Sequence, residues 1–486
     1  MILKGAQATA AGFGGRLGAR LLFLFVAGRL FGPAPFGAYV LAVAAVELAV
    51  GVGSLGMKKV IFQHLDAADA GERPLPHVLL DSALLVALTS VVLAAGMIAA
   101  ALLLPRTWLP AGSATALAAL APVVAGQSLL DLFLAATRWK HAIRWEVLAR
   151  SLVEPYALLL GAAAAWALGW RSEGLLLGYW CGTLCALGYA LHGARRTFGG
   201  LRLRSWRPRR RTLWRTFRGS ASNTATDLLN ALYTRIDLWI VGLLLGASAA
   251  GVYGMAKQIA VPIRQVRQSF DGLLIPLVAR TLGARGSQGS GEALASATRL
   301  ILVIQLPLLV GLYAAGGLVL DLIGKGFAAA YWPVLALAAA ETVQAAFSIG
   351  DLVFVYLKPR LGLWLTLGSI AVGIAAALLL IPRWGLVGAA SSVLAAYSLR
   401  ALWRSAVLRG RFHFDVPHTH HAGPFVAAAA GLAAAAAART GAAGPAGEAL
   451  ALAAGLAAYG IVLFLWLRLR GETLRLSGFT TEASTA

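Results

Sequence analysis

Apolar runs of about 17–25 residues, the length that carries a helix across a bilayer, recur along this whole chain with short polar turns between them. A backbone inside hydrocarbon has to satisfy its own N–H and C=O groups, so each run reads as a helix. Composition agrees: 13% of the residues are charged and 59% hydrophobic, against roughly 25% charged in a soluble domain. The expectation is an all-α polytopic membrane protein of about fourteen spans, near residues 9–31, 36–63, 77–104, 114–137, 145–169, 173–194, 219–244, 249–280, 293–316, 331–357, 361–381, 385–408, 423–439 and 447–468. The first run leads straight into the second, so no cleavable leader is expected. No polar stretch is long enough to hold a soluble domain.

A motif occurs twice. Gly32-Pro-Ala-Pro-Phe-Gly37-Ala-Tyr39 is echoed by Gly246-Ala-Ser-Ala-Ala-Gly251-Val-Tyr253, an offset of 214 residues. Each copy joins two apolar runs and reads as the tight turn of a helical hairpin. Later segments correspond as well: Asp131-Leu-Phe-Leu with Asp351-Leu-Val-Phe, and Gly174-Leu-Leu-Leu-Gly178 with Gly385-Leu-Val-Gly388-Ala. Duplication across apolar helices is a transporter signature. Six spans per half make the repeats parallel, related by a pseudo-twofold axis along the membrane normal. The expected organisation is an N-lobe over 1–194, a basic linker over 195–218, a C-lobe over 219–409, and two further spans with a tail over 410–486.

Lys and Arg concentrate in the loops after even-numbered spans, as at Arg138, Lys140, Arg144, Arg280, Lys358 and Arg409. This asymmetry places both termini in the cytoplasm. The formal net charge of +22 is densest between the halves, where Arg195, Arg196, Arg202, Arg204, Arg207, Arg209, Arg210, Arg211, Arg215 and Arg218 follow one another. Between two spans, such a run reads as topological anchoring against anionic headgroups rather than as a nucleic-acid site. Cys181 and Cys185 are one turn apart on one helix, poorly placed for a disulfide. His418, His420 and His421 read as loop residues, and no metal site is expected. There is no phosphate-binding loop of the Walker type, so direct ATP coupling is not expected.

Ionisable groups inside spans are costly and mark function. In span seven, Asn223, Asp227, Asn230, Thr234 and Asp237 share one helical face, and span eight carries Lys257, Arg264, Arg267, Gln268 and Asp271 at helical spacing. Counting outward from the turn near residue 247 sets Asp237 level with Lys257, Asn230 with Arg264, and Asp227 with Arg267. Arg264 and Arg235 are then left without a carboxylate, and the cleft is expected to be net cationic. The repeat offset puts Arg16 and Arg20 of span one at the positions of Asn230 and Thr234. The candidate substrate-binding cations are Arg20, Arg235, Lys257, Arg264 and Arg267. The candidate polar and pairing residues are Asn223, Asp227, Asn230, Asp237 and Asp271. Asp131 and Asp351, at equivalent repeat positions, read as fold-stabilising groups pairing with a neighbouring arginine. Pro262 and Pro276 should bend span eight.

Arg29-Leu-Phe-Gly-Pro-Ala-Pro-Phe-Gly-Ala-Tyr39, with Gly53-Ser-Leu-Gly56 closing span two, resembles the opening of the polysaccharide transporter family. Tyr233-Thr-Arg-Ile-Asp237-Leu-Trp-Ile-Val-Gly242, Gly251-Val-Tyr253-Gly-Met-Ala256 and Pro382-Arg-Trp-Gly385-Leu-Val-Gly388 are similar to its central and later stretches. That family holds the Wzx-type flippases of the multidrug/oligosaccharidyl-lipid/polysaccharide exporter superfamily. The resemblance implies a two-lobed, V-shaped bundle of fourteen helices around a central cavity. It implies an inner-membrane flippase that carries a polyprenyl-diphosphate-linked oligosaccharide to the outer leaflet for O-antigen, capsule or exopolysaccharide assembly, alongside the polysaccharide assembly machinery.

A lipid II flippase and a multidrug/cation antiporter of the same superfamily are the alternatives. The expected cationic cleft argues against the antiporter. A membrane glycosyltransferase or polymerase would need a large outer loop, and every outer loop is short, so no enzyme is expected. No cofactor is expected. A coupling ion, H+ or Na+, is left open, with Glu47 and Glu341 as candidate groups.

Overall fold

A computed structural model describes residues 15, 18–72, 74–105, 109–110, 112–201, 206–208, 210–284, 286–347, 359–412, 421–441 and 444–471. The side chains of 72, 211–212, 215, 271–294, 359–360 and 411–412 lie outside that description. All regular structure among the described residues is helical. Among the described residues, ten helices are long and apolar enough to cross a membrane, or eleven if Ser113–Leu120 and Val123–Trp139, bent by 46° where they meet, form one span. The chain is a multi-pass membrane protein. Leu88, Val92 and Leu102 are 54%, 71% and 74% exposed, an outer surface that suits acyl chains and would aggregate in water. Several hydroxyls within the spans donate to a carbonyl of their own helix: Thr89 to Leu85 O, Thr342 to Ala338 O and Ser369 to Leu365 O.

The helices divide into two compact units, Met1–Gly254 and Met255–Ala486. In the first unit, α1 (18–31) ends in the π-turn Ala27–Phe31. There follow α2 (Pro33–Gly53), α3 (Met57–Ala67), α4 (Leu75–Leu103), α5 (Ser113–Leu120), α6 (Val123–Trp139), α7 (Arg144–Leu148), α8 (Glu154–Ala167) and α9 (Gly174–Thr197). The helix α10 (Arg210–Ala284) runs on past the boundary into the second unit. That unit continues with α11 (Gly286–Ile323), α12 (Tyr331–Phe347), α13 (Pro359–Phe412), α14 (Ala422–Gly441) and α15 (Gly444–Leu469). The 75 residues of α10 and the 54 of α13 are far longer than the roughly 20 residues that cross a bilayer. Each is broken once, at Gly246 (φ 87°) and Gly385 (φ 55°), so neither is one continuous rod. The compact division thus falls after the Gly246 turn and leaves the helix of span seven in the first unit.

The repeated motif is visible in the backbone. Gly32 has φ 76°, ψ −177° and Gly246 has φ 87°, ψ 176°, the same conformation, which is essentially open only to glycine. The two copies also touch each other reciprocally. A Cβ built on Gly37 would stand 2.6 Å from Ala247 C and 2.9 Å from Gly251 N, and one built on Gly251 would stand 3.0 Å from Pro33 C and 2.9 Å from Gly37 N. Residues 33 and 247, like 37 and 251, are partners under the 214-residue offset. The duplication seen in sequence is therefore a local twofold contact between backbones.

In the second unit, α14 and α15 pack on α11 around Leu302, Leu306, Val310, Tyr459 and Leu463. At the ends of these helices the Arg439 guanidinium lies over the rings of Tyr313 and Tyr331, at 5.5 and 5.3 Å. It also donates to the Tyr331 hydroxyl and to Tyr313 O.

Candidate functional site: a charged cavity in the first unit

Most of the first unit is apolar, but one cavity of about 590 Å³ is lined by ionisable groups. It takes Arg20 from α1, Glu47 from α2, Ser54 from just past the end of α2, Lys58 from α3, Gln127 and Asp131 from α6, and Asp227 and Asn230 from α10. Arg150 and Glu154 come from a π-turn, Ala149–Val153, and the start of α8. The extra residue in a π-turn rotates the side chains that follow. Here it aims both Arg150 and Glu154 into the cavity.

Five of these groups form a continuous network. Lys58 Nζ lies 2.7 Å from Asp131 Oδ2, and the Arg150 guanidinium donates to the other Asp131 oxygen. Arg150 also donates to Glu154 Oε2 at 2.7 Å and to Gln127 Oε1 at 3.3 Å. Gln127 Nε2 donates onward to Glu154 Oε1 at 3.0 Å and to Thr183 Oγ1 at 2.9 Å. Asp131 and Gln127 are 9% and 7% exposed. Buried charge at this density is tolerable because each carboxylate has a cation and a hydrogen-bond donor.

A break in span two supplies the lysines. Helix α2 stops at Gly53, and Leu55 (φ 50°) and Gly56 (φ 61°) turn the chain through left-handed conformations before α3 begins. Lys58 and Lys59 then point to different acids: Lys58 to Asp131 on α6, Lys59 to Asp227 Oδ1 on α10 at 3.1 Å. Asn223 lies against the break, with its Cβ 2.5 Å from where a Gly56 side chain would begin. Farther along the same seam, Arg235 Nη2 donates to Glu47 Oε1 at 2.8 Å. Asp237, 7% exposed, accepts from the Tyr253 hydroxyl at 2.6 Å.

The structure thus gathers part of the expected set. Arg20, Asp227 and Asn230 line the cavity. Arg235 reaches it through Glu47, and Asn223 and Asp237 lie on the same helix as Asp227. Lys257, Arg264 and Arg267 belong to the second unit. The side chain of Asp271, and all of Arg16, Asp351, His418 and His420, lie outside the described residues.

One expectation is corrected. Arg235 and Arg264 do have carboxylate partners, Glu47 and Glu341, the latter at 3.0 Å. Reading the hairpin of spans seven and eight alone left out the helices packed against it. The lining of this first-unit cavity carries both signs: Arg20, Lys58 and Arg150 face Glu47, Asp131, Glu154 and Asp227. The Asp131 pairing with an arginine agrees with the sequence reading. Lys58, Gln127, Arg150 and Glu154 are additions to the expected set, although Gln127/Asp131 and Arg150/Glu154 are i,i+4 pairs and legible as such in the sequence.

A family model described as "Polysaccharide biosynthesis protein" matches residues 26–331. The chain belongs to this family. No curated protein matches it. Among solved structures, it is similar to an inward-facing multidrug resistance MATE family transporter of the MOP superfamily, with TM-score 0.67 and 14% identity over 81% of this chain and 94% of that one. An outward-facing transporter of the same description gives TM-score 0.54 and 16% identity over 84% and 94%. A MATE in complex with MaL6 gives 0.57 and 14% over 84% and 96%. At these identities the likeness establishes the fold, so this member of the polysaccharide biosynthesis family has the fold of those transporters.

Proposed function

We propose that this protein is a flippase, carrying a polyprenyl-diphosphate-linked oligosaccharide from the inner to the outer leaflet of the cytoplasmic membrane by alternating access. The observation that carries the reading is the cavity: a space of about 590 Å³ lined by both cations and carboxylates, inside a unit otherwise built for lipid. Arg20 and Lys58 suit a diphosphate, since guanidinium and ammonium groups hold phosphate oxygens by charge-assisted hydrogen bonds. Glu47, Glu154, Asp227, Gln127 and Asn230 offer the acceptors and amides that sugar hydroxyls need, and the polyprenyl chain stays in the bilayer. Both termini lie in the cytoplasm on this reading, as the distribution of Lys and Arg requires. The family's description favours this cargo over lipid II.

The four lining carboxylates favour a second reading, export of organic cations, and one experiment separates the two. In a strain lacking the gene, lipid-linked oligosaccharide should accumulate facing the cytoplasm. Wild type should clear it, and Arg20→Ala and Lys58→Ala, expressed to the same level, should not. No accumulation, together with new sensitivity to cationic drugs, would overturn the flippase and establish the cation exporter.

A further inference from the structure

Between Gly174 and Thr226 the sequence has ten arginines, no lysine and no carboxylate. Such a stretch cannot neutralise itself. Arg195, Arg196, Arg207, Arg210 and Arg218 are exposed. The segment is nonetheless held in place. Trp206 donates its indole N–H to Asp81 Oδ1 at 2.9 Å, and Asp81 is 3% exposed on α4. Leu201 and Leu213 pack on the core of the first unit.

The first turns of α10 are amphipathic in an unusual sense. Leu213, Thr216 and Ser220 face inward, with Thr216 and Ser220 buried. Arg210, Trp214, Phe217 and Arg218 fall at i, i+4, i+7 and i+8, one face of the helix, and all four are exposed. Trp214 and Phe217 are 64% and 41% exposed and stack on each other, with centroids 5.9 Å apart and planes 22° from parallel. The exposed face is therefore an aromatic pair with one arginine a turn to either side, where the chain enters the membrane.

We infer that this face is a docking site for the headgroup of an anionic phospholipid at the inner leaflet. Trp214 sits at the headgroup–acyl boundary, where an amphipathic indole is most stable, with Phe217 stacked beside it, and Arg210 and Arg218 donate to headgroup phosphate from either side. Charge complementarity selects this occupant: the site offers only guanidinium groups, and the leaflet beside it offers phosphates. A helix that continues directly into a span holds its arginines close to the leaflet surface, which favours a lipid over a nucleic acid. The site stands apart from the charged cavity and does not depend on the cargo proposed above.

The test is lipid retention by native mass spectrometry on the full-length protein, released from micelles holding equal amounts of phosphatidylglycerol and phosphatidylcholine. Wild type should keep phosphatidylglycerol selectively, and inorganic phosphate in excess should not displace it. Arg210→Gln with Arg218→Gln should weaken that retention about 25-fold, roughly five-fold for each arginine near an anionic surface. Trp214→Ala should weaken it less. Arg171→Gln with Arg383→Gln, an equal charge change at exposed arginines elsewhere, should leave it unchanged, and all variants should elute as one symmetrical peak. Equal retention of the two lipids by wild type would overturn the inference. So would an equal loss in the Arg171/Arg383 control, displacement by free phosphate, or retention of nucleic acid in place of lipid.

Discussion

Replacing Gly37 by alanine inserts one methyl where the two copies of the motif meet. The new Cβ would stand 2.6 Å from Ala247 C and 2.9 Å from Gly251 N, whereas ordinary contact begins at 3.4 Å. Both obstacles are backbone, so no side chain can rotate away, and the helices have to separate by about 1 Å. A gap of that size forfeits roughly a quarter to a half of the dispersion attraction between each pair of atoms along the seam. The packing of Val40 against Gly254 and of Leu41 against Gly242 would loosen with it. The cost should be about 3–5 kcal/mol, at or above the upper end for overpacking. With roughly 2–4 °C lost per kcal/mol in a body of this size, the apparent melting temperature in detergent should fall by about 6–20 °C. Gly251→Ala should cost a similar amount, because its obstacles, Pro33 C and Gly37 N, are the mirror of the first set. The double variant should cost little more than the worse single one, since the first methyl already opens the seam. Gly96→Ala, on an exposed helical face with nothing within 4 Å, should be neutral or stabilising. The apparent melting temperature is read by fluorescence-detected size exclusion after heating. A Gly37→Ala protein melting within about 2 °C of wild type, or a double cost equal to the sum, would refute the reciprocal contact.

Arg150→Leu leaves Asp131 and Glu154 short of their shared cation and should cost about 3 kcal/mol of stability, with Arg150→Lys recovering part of it, read by the same thermal assay. Tyr253→Phe removes a hydrogen bond to the buried Asp237 carboxylate and should cost about 1.5–3 kcal/mol, read likewise. Lys59 is 57% exposed, so Lys59→Glu and Asp227→Lys should each shift stability by less than about 1 kcal/mol. On the proposed function both should impair clearance of lipid-linked oligosaccharide, and the double reversal should restore it.

How far the sequence could be read depended on how local each signal was. The spans follow from apolar length alone, and the hairpin turns from two glycines whose shared conformation no other residue adopts readily. Gly37 and Gly251 are paired by the 214-residue offset, but an offset names equivalent positions and not a contact. The charge pairings were not local. Arg264 and Glu341 are 77 residues apart, and Arg235 and Glu47 are 188 apart. A register counted from one turn can rank depth along two helices, but it cannot say which third helix covers their polar face. The bend in span two was hidden for a different reason. Leu55 is an apolar residue inside an apolar run, and nothing in its chemistry announces a left-handed backbone.

That bend fixes more than a direction. Successive residues on a helix point about 100° apart, so a short helix carrying Lys58 and Lys59 reaches two carboxylates on different neighbours. Both ammonium groups thus hang from neighbouring positions of one short helix. Any rotation or slide of α3 alters the neutralisation of Asp131, inside the cavity, and of Asp227, on α10, in the same movement. The charge balance of the cavity and the position of the helix beside it are thereby joined through a single turn of chain, and a buried leucine held at φ 50° sets the angle of that joint.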